Sequence, residues 1–415
     1  FTYTNNDVVG TLSSINAARF NTSLWYGYTS TNSSNTLTVT TAPLNATTAP
    51  LGGSDWTGRE TPGLYYYRTH QSGNWADVNT WDVALDPAFP TYTYPAPVAP
   101  DENNSSGVTI RLGHTVTVAA NASCDQMSFD NTLGSTLNID NGAIFTLVDG
   151  AGTDLTFGTT ANNSKLNIIN GKWLNKGTWT NTPTMVVSTG STYQHDQNAG
   201  VVPTATWQAN STCLFTGPML STPTGLGQTF ANVTYDCPTQ GNNLNFTGGF
   251  TTINGNFTLV NTNGWDVRLM ASSGTTTVTI GGNLDLQSGI FYLSSGSSVP
   301  TLTIGGDLLI KPGTTFGCNN SASAATGTIN LGGNFTQTGG SFLQGGTGTI
   351  TFNFTGANKQ FTQSAGTFTP NKINFNINTA GASLTLNNDF TINTPNVFTV
   401  TNGALNCGTS IVTGT

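Results

Sequence analysis

The chain has 415 residues and few charges, with 11 Lys and Arg, 19 Asp and Glu and a formal net charge of −8. The scarcity of basic residues excludes a protein that neutralises a run of nucleic-acid phosphates, and no apolar run is long enough to span a membrane as a helix. Hydrophobic residues make up 36% of the chain, which excludes a disordered polymer.

Residues 1–62 predict a small β module or the tail of a larger upstream domain. Short strand-like runs occur at Phe1–Tyr3, Ser23–Tyr28 and Thr36–Thr41, and proline and glycine residues then interrupt the pattern. The first residue is Phe1 rather than Met, so we expect a processed chain or a fragment.

Residues 63–112 predict an N-terminal cap for the strands that follow. Three consecutive tyrosines and two tryptophans, Trp75 and Trp81, precede a proline-rich loop. A stack of β-strands must cover its first open edge to avoid pairing with other chains, and bulky aromatic residues suit such a cover. The alternative is a carbohydrate-stacking platform made by Tyr66, Trp75 and Trp81.

Residues 113–250 predict irregular coils built from short strands. Runs such as Thr136–Ile139 and Ile144–Val148 alternate polar and apolar residues. Cys213 and Cys237 lie close to one coil apart in sequence, so stacked coils could join them in a disulfide. Two buried free thiols are the alternative.

Residues 253–398 contain one pattern written six times, at intervals of 24 to 29 residues. Each unit has an apolar anchor, an amide or acidic residue three positions later, a large apolar residue next, and an aromatic residue eleven or twelve positions after the anchor. The anchors are Ile253, Ile280, Ile304, Leu331, Ala357 and Leu386. The amide or acidic residues are Asn256, Asn283, Asp307, Asn334, Gln360 and Asp389. The large apolar residues are Phe257, Leu284, Leu308, Phe335, Phe361 and Phe390, and the aromatic residues are Trp265, Phe291, Phe316, Phe342, Phe368 and Phe398.

This repeat predicts an all-β fold, a right-handed parallel β-helix (β-solenoid) over residues 113–415 with regular coils from about residue 250. Runs with period two are strands, and strands of successive coils pair at about 4.8 Å. We expect the apolar and aromatic positions to form interior ladders and the Asn and Asp positions to cap the corners. A β-sandwich would explain the strands but not the constant register.

The cap and the first coils resemble a known family. The motifs are Tyr65, Tyr66 and Tyr67; Ser72, Gly73, Asn74 and Trp75; Asn79, Thr80 and Trp81; and Gly113 to Val118. They look like the opening of the large secreted β-helix surface proteins of Bacteroidota, many of which are exported by the type IX secretion system. The resemblance covers roughly residues 63–415 and implies extracellular or cell-surface display with adhesin-like or matrix roles. Such proteins commonly end in a β-sandwich sorting domain, whereas this sequence stops at Thr415 within a coil, so we expect either that the C-terminus is missing here or that the solenoid stacks on something else.

The regular coils offer few residues for catalysis, because ordinary glycoside hydrolysis needs two paired carboxylates. Asp307 and Asp389 occupy the corner position, which predicts capping, while Asp266 and Arg268 predict a surface ion pair. His195 and the aspartate after it form the best local acid–base pair, but we interpret them as part of a solvated loop. We therefore assign no catalytic, metal-binding or cofactor-binding residue and expect no cofactor.

A flat threonine array of the kind that binds ice was also considered. Thr277, Thr301 and Thr328 stand three residues before their anchors. The same position holds Phe250 and Phe354 in other units. The sequence therefore predicts no extended threonine face.

The composition and the repeat leave three hypotheses for function. The first is a non-enzymatic extracellular surface protein, structural or adhesive, acting in cell-surface attachment or in matrix or filament assembly. The alternative is a glycan-binding or polysaccharide-degrading β-helix, whose active site would need two carboxylates within roughly 10 Å. The third is a repeating filament subunit. Low charge reduces electrostatic repulsion between copies of the chain, so the chain itself is an expected partner. Surface glycans are the other expected partner. We expect neither nucleic-acid binding nor a membrane span.

Overall fold

The computed structural model describes residues 64–130, 134–157, 165–168, 170–180, 184–270, 273–321, 324–369 and 371–414, together with the backbone of five strands within residues 15–60. It is all-β, with about 12 turns of stacked parallel strands, so the predicted β-solenoid is confirmed. The chain divides into two compact units, residues 1–66 with 84–91, and residues 67–83 with 92–415.

The strands within residues 15–60 form small antiparallel structures. These strands are β1 (Ile15–Asn21), β2 (Leu24–Tyr28), β3 (Ser30–Ser33), β4 (Thr36–Val39) and β5 (Trp56–Glu60). β1 lies between β2 and β5 in a three-stranded sheet, and β3 pairs with β4. The predicted run at Phe1–Tyr3 lies outside the described residues.

The second unit contains the solenoid, which starts with short strands. These are β6 (Tyr65–Thr69), β7 (Gly73–Asn74), β8 (Trp81–Ala84), β9 (Ser105–Ile110), β10 (Thr115–Val118), β11 (Ala122–Cys124), β12 (Met127–Phe129), β13 (Thr136–Ile139), β14 (Ile144–Leu147), β15 (Leu155–Phe157), β16 (Lys165–Ile168), β17 (Lys172–Asn175), β18 (Trp179–Thr180), β19 (Thr184–Val187), β20 (Thr192–His195), β21 (Ala205–Trp207) and β22 (Thr212–Phe215), with a 3-10 helix at Val78–Thr80. They stack in three sheets, two of which have the orders β18-β15-β12-β9-β6-β8 and β21-β19-β16-β13-β10-β7.

The later coils contain the remaining strands. These are β23 (Thr229–Phe230), β24 (Asn232–Asp236), β25 (Leu244–Asn245), β26 (Thr252–Ile253), β27 (Phe257–Asn261), β28 (Asp266–Met270), β29 (Thr275–Ile280), β30 (Leu284–Leu286), β31 (Gly289–Ser294), β32 (Val299–Ile304), β33 (Leu308–Ile310), β34 (Thr314–Asn319), β35 (Gly327–Leu331), β36 (Phe335–Leu343), β37 (Ile350–Phe354), β38 (Lys359–Thr369), β39 (Ile373–Ile377), β40 (Ser383–Leu386), β41 (Phe390–Ile392), β42 (Phe398–Val400), β43 (Ala404–Asn406) and β44 (Val412–Gly414). An eight-stranded sheet, β23-β26-β29-β32-β35-β37-β39-β42, replaces the two shorter sheets, while a 17-stranded sheet starting at β11 continues through both regions.

Alternating residues explain why these strands stack. Val116, Leu137, Leu166 and Met185 lie opposite one another in consecutive coils, and each is buried. Because side chains in a strand alternate between faces, every second residue enters the core and the others face solvent. The interior is therefore a set of apolar ladders, as the repeat predicts. Among the described residues, no helix is long and apolar enough to cross a membrane.

Candidate functional site

The predicted corner residues form a ladder of side-chain to backbone hydrogen bonds. The Oδ1 atom of Asn256 accepts from the backbone amide of Asn283 at 2.8 Å, and Asn283 Oδ1 accepts from Asp307 at 2.8 Å. Asp307 Oδ1 accepts from the amide of Asn334 at 2.7 Å, and Asn334 Oδ1 from that of Gln360 at 3.0 Å. Each bond satisfies a backbone donor that the turn would otherwise leave without a partner, so these residues are structural.

The corner ladder differs from the prediction at both ends. It begins one coil earlier, because Asn232 Oδ1 accepts from the amide of Asn256 at 2.9 Å. It does not include Asp389, because Gln360 lies opposite Thr385. Asp389 accepts instead from a backbone amide in the last coil. The reason is that Leu386, the predicted sixth anchor, lies opposite Phe361 in the next ladder, so Asp389 falls beyond this corner.

The large apolar and aromatic residues form two interior ladders in the middle coils. Phe257, Leu284, Leu308, Phe335, Phe361 and then Leu386 lie opposite one another and are buried. Phe291, Phe316, Phe342 and Phe368 form the second ladder. Phe390 is buried but lies opposite Val412, so its predicted place in the first ladder is wrong.

Two predicted members of the aromatic ladder lie elsewhere. Val267, not Trp265, lies opposite Phe291. Trp265 follows a corner loop that the spacing does not reveal, and it is 39% exposed. Phe398 lies opposite Phe375 in the eight-stranded sheet. Both predictions are wrong because loop lengths differ between coils while the strand positions do not.

The prediction that Phe354 interrupts the threonine array is also wrong. Leu331 lies opposite Phe354, so Phe354 rather than Ala357 is the fifth anchor. Thr328 consequently lies opposite Thr351, and the array continues into the next coil.

Two parallel columns of polar residues therefore cover the outer side of the eight-stranded sheet. The first column is Thr277, Thr301, Thr328, Thr351 and Asn374. The second column is Thr252, Thr279, Thr303, Asn330, Asn353, Asn376 and Thr399. We call these columns the threonine–asparagine face. Neighbours within a column are about 4.8 Å apart, and the columns are about 6.6 Å apart.

Hydrogen bonds along the second column fix the side chains of Thr303, Asn330, Asn353 and Asn376. Asn353 Nδ2 donates to Asn330 Oδ1 at 2.8 Å, and Asn376 Nδ2 donates to Asn353 Oδ1 at 3.2 Å. Asn330 Nδ2 donates to Thr303 Oγ1 at 3.3 Å. The face is polar and uncharged, and the pre-ordering of these four side chains lowers the conformational entropy that they lose when a partner binds.

A groove of about 360 Å³ lies where the early and late sheets meet. Its walls include Thr222, Leu226, Phe246 and Thr247. Thr247 has a φ of +49°, a left-handed conformation that is strained for a β-branched residue. The groove therefore combines a strained loop, hydroxyl groups and an apolar floor at the start of the threonine–asparagine face.

The two predicted cap tryptophans are core residues. Trp75 and Trp81 are 2% and 0% exposed, with ring centroids 5.2 Å apart. Trp75 Nε1 donates to the carbonyl of Pro100 at 2.8 Å, and Trp81 Nε1 donates to that of Trp75 at 2.9 Å. Neither ring can stack on a sugar, so this part of the platform prediction is wrong, and the capping interpretation fits their burial. Tyr66 is half-buried.

The predicted disulfide is absent because the register separates its cysteines. Cys213 lies opposite Val233, four residues before Cys237, and both thiols are free and buried. Four strand positions span about 13 Å, beyond the reach of a disulfide. Burial raises the pKa of both thiols, which therefore remain protonated and unreactive.

His195 is buried at the end of β20 and does not lie in a solvated loop, so that interpretation is wrong. Its Nε2 donates to the carbonyl of Ala199 at 2.7 Å, which leaves Nδ1 as the acceptor for the Tyr193 hydroxyl at 3.2 Å. Asn175 Nδ2 donates to the same hydroxyl at 3.1 Å. Burial lowers the pKa of His195 to about 4, so the imidazole is neutral.

Two of the four carboxylates of the regular coils are held by basic side chains. Asp266 accepts from Arg268 Nε at 3.0 Å, and Asp285 lies 2.8 Å from Lys311 Nζ. These are partly exposed ion pairs of the kind predicted for Asp266 and Arg268. Across the part of the chain that the structure describes, no three His, Cys, Asp or Glu residues are grouped to hold a metal ion.

One pair of carboxylates lies together in the early coils. Burial raises the pKa of Asp125, and the charges of Asp154 and Asp149 and a hydrogen bond with Asp154 raise it further. Asp154 is fully buried, and its oxygens accept from the amides of Gly150 at 3.0 Å and Thr178 at 2.6 Å. Asp154 therefore holds two loops in place.

The chain matches no protein-family model, no curated protein and no solved structure.

Proposed function

We propose that this chain is a non-enzymatic extracellular surface protein, structural or adhesive, which acts in cell-surface attachment or in matrix or filament assembly. The threonine–asparagine face is the observation that supports the proposal. It offers hydroxyl and amide groups at a regular spacing, and no charge has to be desolvated when a neutral partner binds. Such a face suits the ordered, polyhydroxylated surface of an insoluble glycan. The secreted Bacteroidota proteins that the cap resembles add support for surface display and type IX secretion.

The polysaccharide-degrading alternative receives less support. Its mechanism needs one carboxyl group as acid and a second as nucleophile or base. Asp154 is inaccessible to substrate, because it is buried and both of its oxygens accept backbone hydrogen bonds. Asp266 and Asp285 are engaged by Arg268 and Lys311.

The test compares lysine substitutions on and off the face. Thr303→Lys and Asn353→Lys place a charge in the second column, whereas Thr336→Lys places one on the outward side of β36 as a control. The full chain is mixed with insoluble cellulose or chitin, and its self-assembly is followed by electron microscopy over a concentration series.

We expect the wild type and Thr336→Lys to adsorb or to form filaments, and both face variants to lose this behaviour. Normal adsorption or assembly by the face variants would refute the role of the face. A wild-type chain that neither adsorbs nor assembles at any concentration would refute the proposal as a whole.

Ice binding is a second candidate that the same columns favour. Thr277, Thr279, Thr301 and Thr303 repeat hydroxyl and methyl groups in two directions, as a lattice-binding face requires. The asparagine rows that follow depart from this pattern. Thermal hysteresis of a wild-type solution that disappears with Thr303→Lys would support ice as the ligand. A wild-type solution that freezes at its equilibrium freezing point would exclude ice binding.

A further inference from the structure

A cluster of aromatic and basic side chains lies on the cap, next to strand β8. The segment around Thr93 runs antiparallel to β8, because Val83 and Thr93 exchange backbone hydrogen bonds of 3.0 and 2.8 Å. Side chains alternate along a strand, so Tyr92 and Tyr94 lie on the side of this ribbon opposite to Thr93. Asp82 lies on that same side of β8.

Asp82 is a buried carboxylate that fixes two neighbouring side chains. It is 1% exposed, and its Oδ2 accepts from Arg68 Nε at 3.1 Å while its Oδ1 accepts from His70 Nδ1 at 2.9 Å. A buried carboxylate without such partners would cost several kcal/mol. The pair of bonds therefore sets the positions of the guanidinium and imidazole groups.

These two groups support the rings of two exposed tyrosines. The His70 ring stacks on Tyr94 with centroids 3.7 Å apart and planes 22° apart. The Arg68 guanidinium lies 4.9 Å from the centroid of Tyr92. Tyr92 and Tyr94 are nevertheless 52% and 41% exposed. Each ring is thus held by protein contacts while much of its surface faces solvent.

The same region concentrates the chain's scarce basic groups. Thr69 Oγ1 is bonded to the backbone amide of Arg111 and to Nδ1 of His114, both at 2.8 Å, which brings the turn at 111–114 beside Arg68 and His70. Burial lowers the pKa of His114, and the nearby Arg111 and His70 lower it further. Of the chain's 11 Lys and Arg and three His, two Arg and two His lie in this region. Asp82 pairs with Arg68, and the lowered pKa leaves His114 uncharged, so the charge next to the tyrosine rings is that of the Arg68 guanidinium.

We propose that Tyr92 and Tyr94, with Arg68 beside them, bind an acidic oligosaccharide that carries uronic-acid carboxylates. The tyrosine rings offer faces on which the C–H sides of sugar rings stack, and the Arg68 guanidinium attracts the carboxylate. Held aromatic rings lose little conformational entropy on binding. This proposal does not depend on the threonine–asparagine face.

A purely structural role explains less of this geometry. The buried Asp82 needs Arg68 and His70, but it does not need either tyrosine. Two large rings that remain about half exposed bury too little surface to be required by the cap. Their exposure beside the Arg68 guanidinium and the His70 ring is what points to a ligand.

The experiment is calorimetric titration of the full chain with an oligogalacturonate and with its methyl-esterified form. Tyr92→Ala and Tyr94→Ala are compared with Tyr94→Phe, which keeps the stacking ring, and with Trp265→Ala, which removes an exposed aromatic residue far along the solenoid. Loss of one stacking ring should weaken binding about three- to tenfold.

We expect the wild type to bind the acid form more tightly than the ester, with normal binding by Tyr94→Phe and Trp265→Ala. Three results would overturn the proposal: no binding of the acid form, equal affinity for the ester, or normal binding by both tyrosine-to-alanine variants. Because these substitutions are on the surface, unchanged thermal unfolding of each variant confirms that the fold is intact.

Discussion

Acid should destabilise the solenoid through His195, and His195→Gln tests this. The folded-state pKa of about 4 lies below the usual value of 6.5, so the unfolded chain binds a proton first as the pH falls. The stabilisation is complete above pH 6.5 and is lost as the pH falls from 6.5 to 4. This pKa difference corresponds to about 3 kcal/mol, because one pKa unit is worth about 1.4 kcal/mol.

The assay is urea unfolding of the wild type and of His195→Gln at pH values from 7 to 4. Gln cannot titrate, so the variant should lose less stability with acid, and the difference between the two proteins should shrink by about 3 kcal/mol. Tyr193→Phe removes a bond to the ring but keeps the imidazole, so it should retain the wild-type pH dependence. A difference between wild type and His195→Gln that stays constant over this range would refute the reasoning.

Three further predictions concern the stability of the solenoid. Phe335→Asp should unfold several coils, because Phe335 is 1% exposed and a buried unpaired charge costs several kcal/mol; unchanged thermal melting would contradict this. Asn283→Ala should cost about 1 kcal/mol in urea unfolding, because the amide of Asp307 loses its acceptor, and the half-buried control Thr336→Ala, on the outward side of β36, should cost less. Asp125→Asn should raise stability at pH 7 and lose this advantage in acid, because the folded-state pKa of Asp125 is raised; equal unfolding midpoints at pH 7 would argue against it.

The sequence predicts the corner ladder correctly where the loops are short and equal. Asn256, Asn283, Asp307 and Asn334 follow their anchors by three residues, so spacing alone places them in one ladder. After Phe354 the corner contains three more residues, so Ala357, which the spacing predicts as the anchor, lies in the loop. Spacing cannot distinguish a longer loop from a longer strand.

The exposed site on the cap was less accessible to prediction. Trp75 and Trp81 are the larger aromatic residues, but their N–H groups find backbone acceptors inside the cap, so both can be buried. Tyr92 and Tyr94 lie in a proline-rich loop without a strand signal. Their alternation on either side of a threonine is the only local indication that they share a face.

The corner ladder also gives the solenoid a direction of growth. In each step the acceptor is a side chain of the earlier coil, and the donor is a backbone amide of the next one, as with Asn256 and Asn283. A finished coil thus presents a template that captures the following segment without help from residues further along. A chain that emerges from synthesis with its amino end first could therefore fold one coil at a time, leaving only the newest edge unpaired while the chain grows.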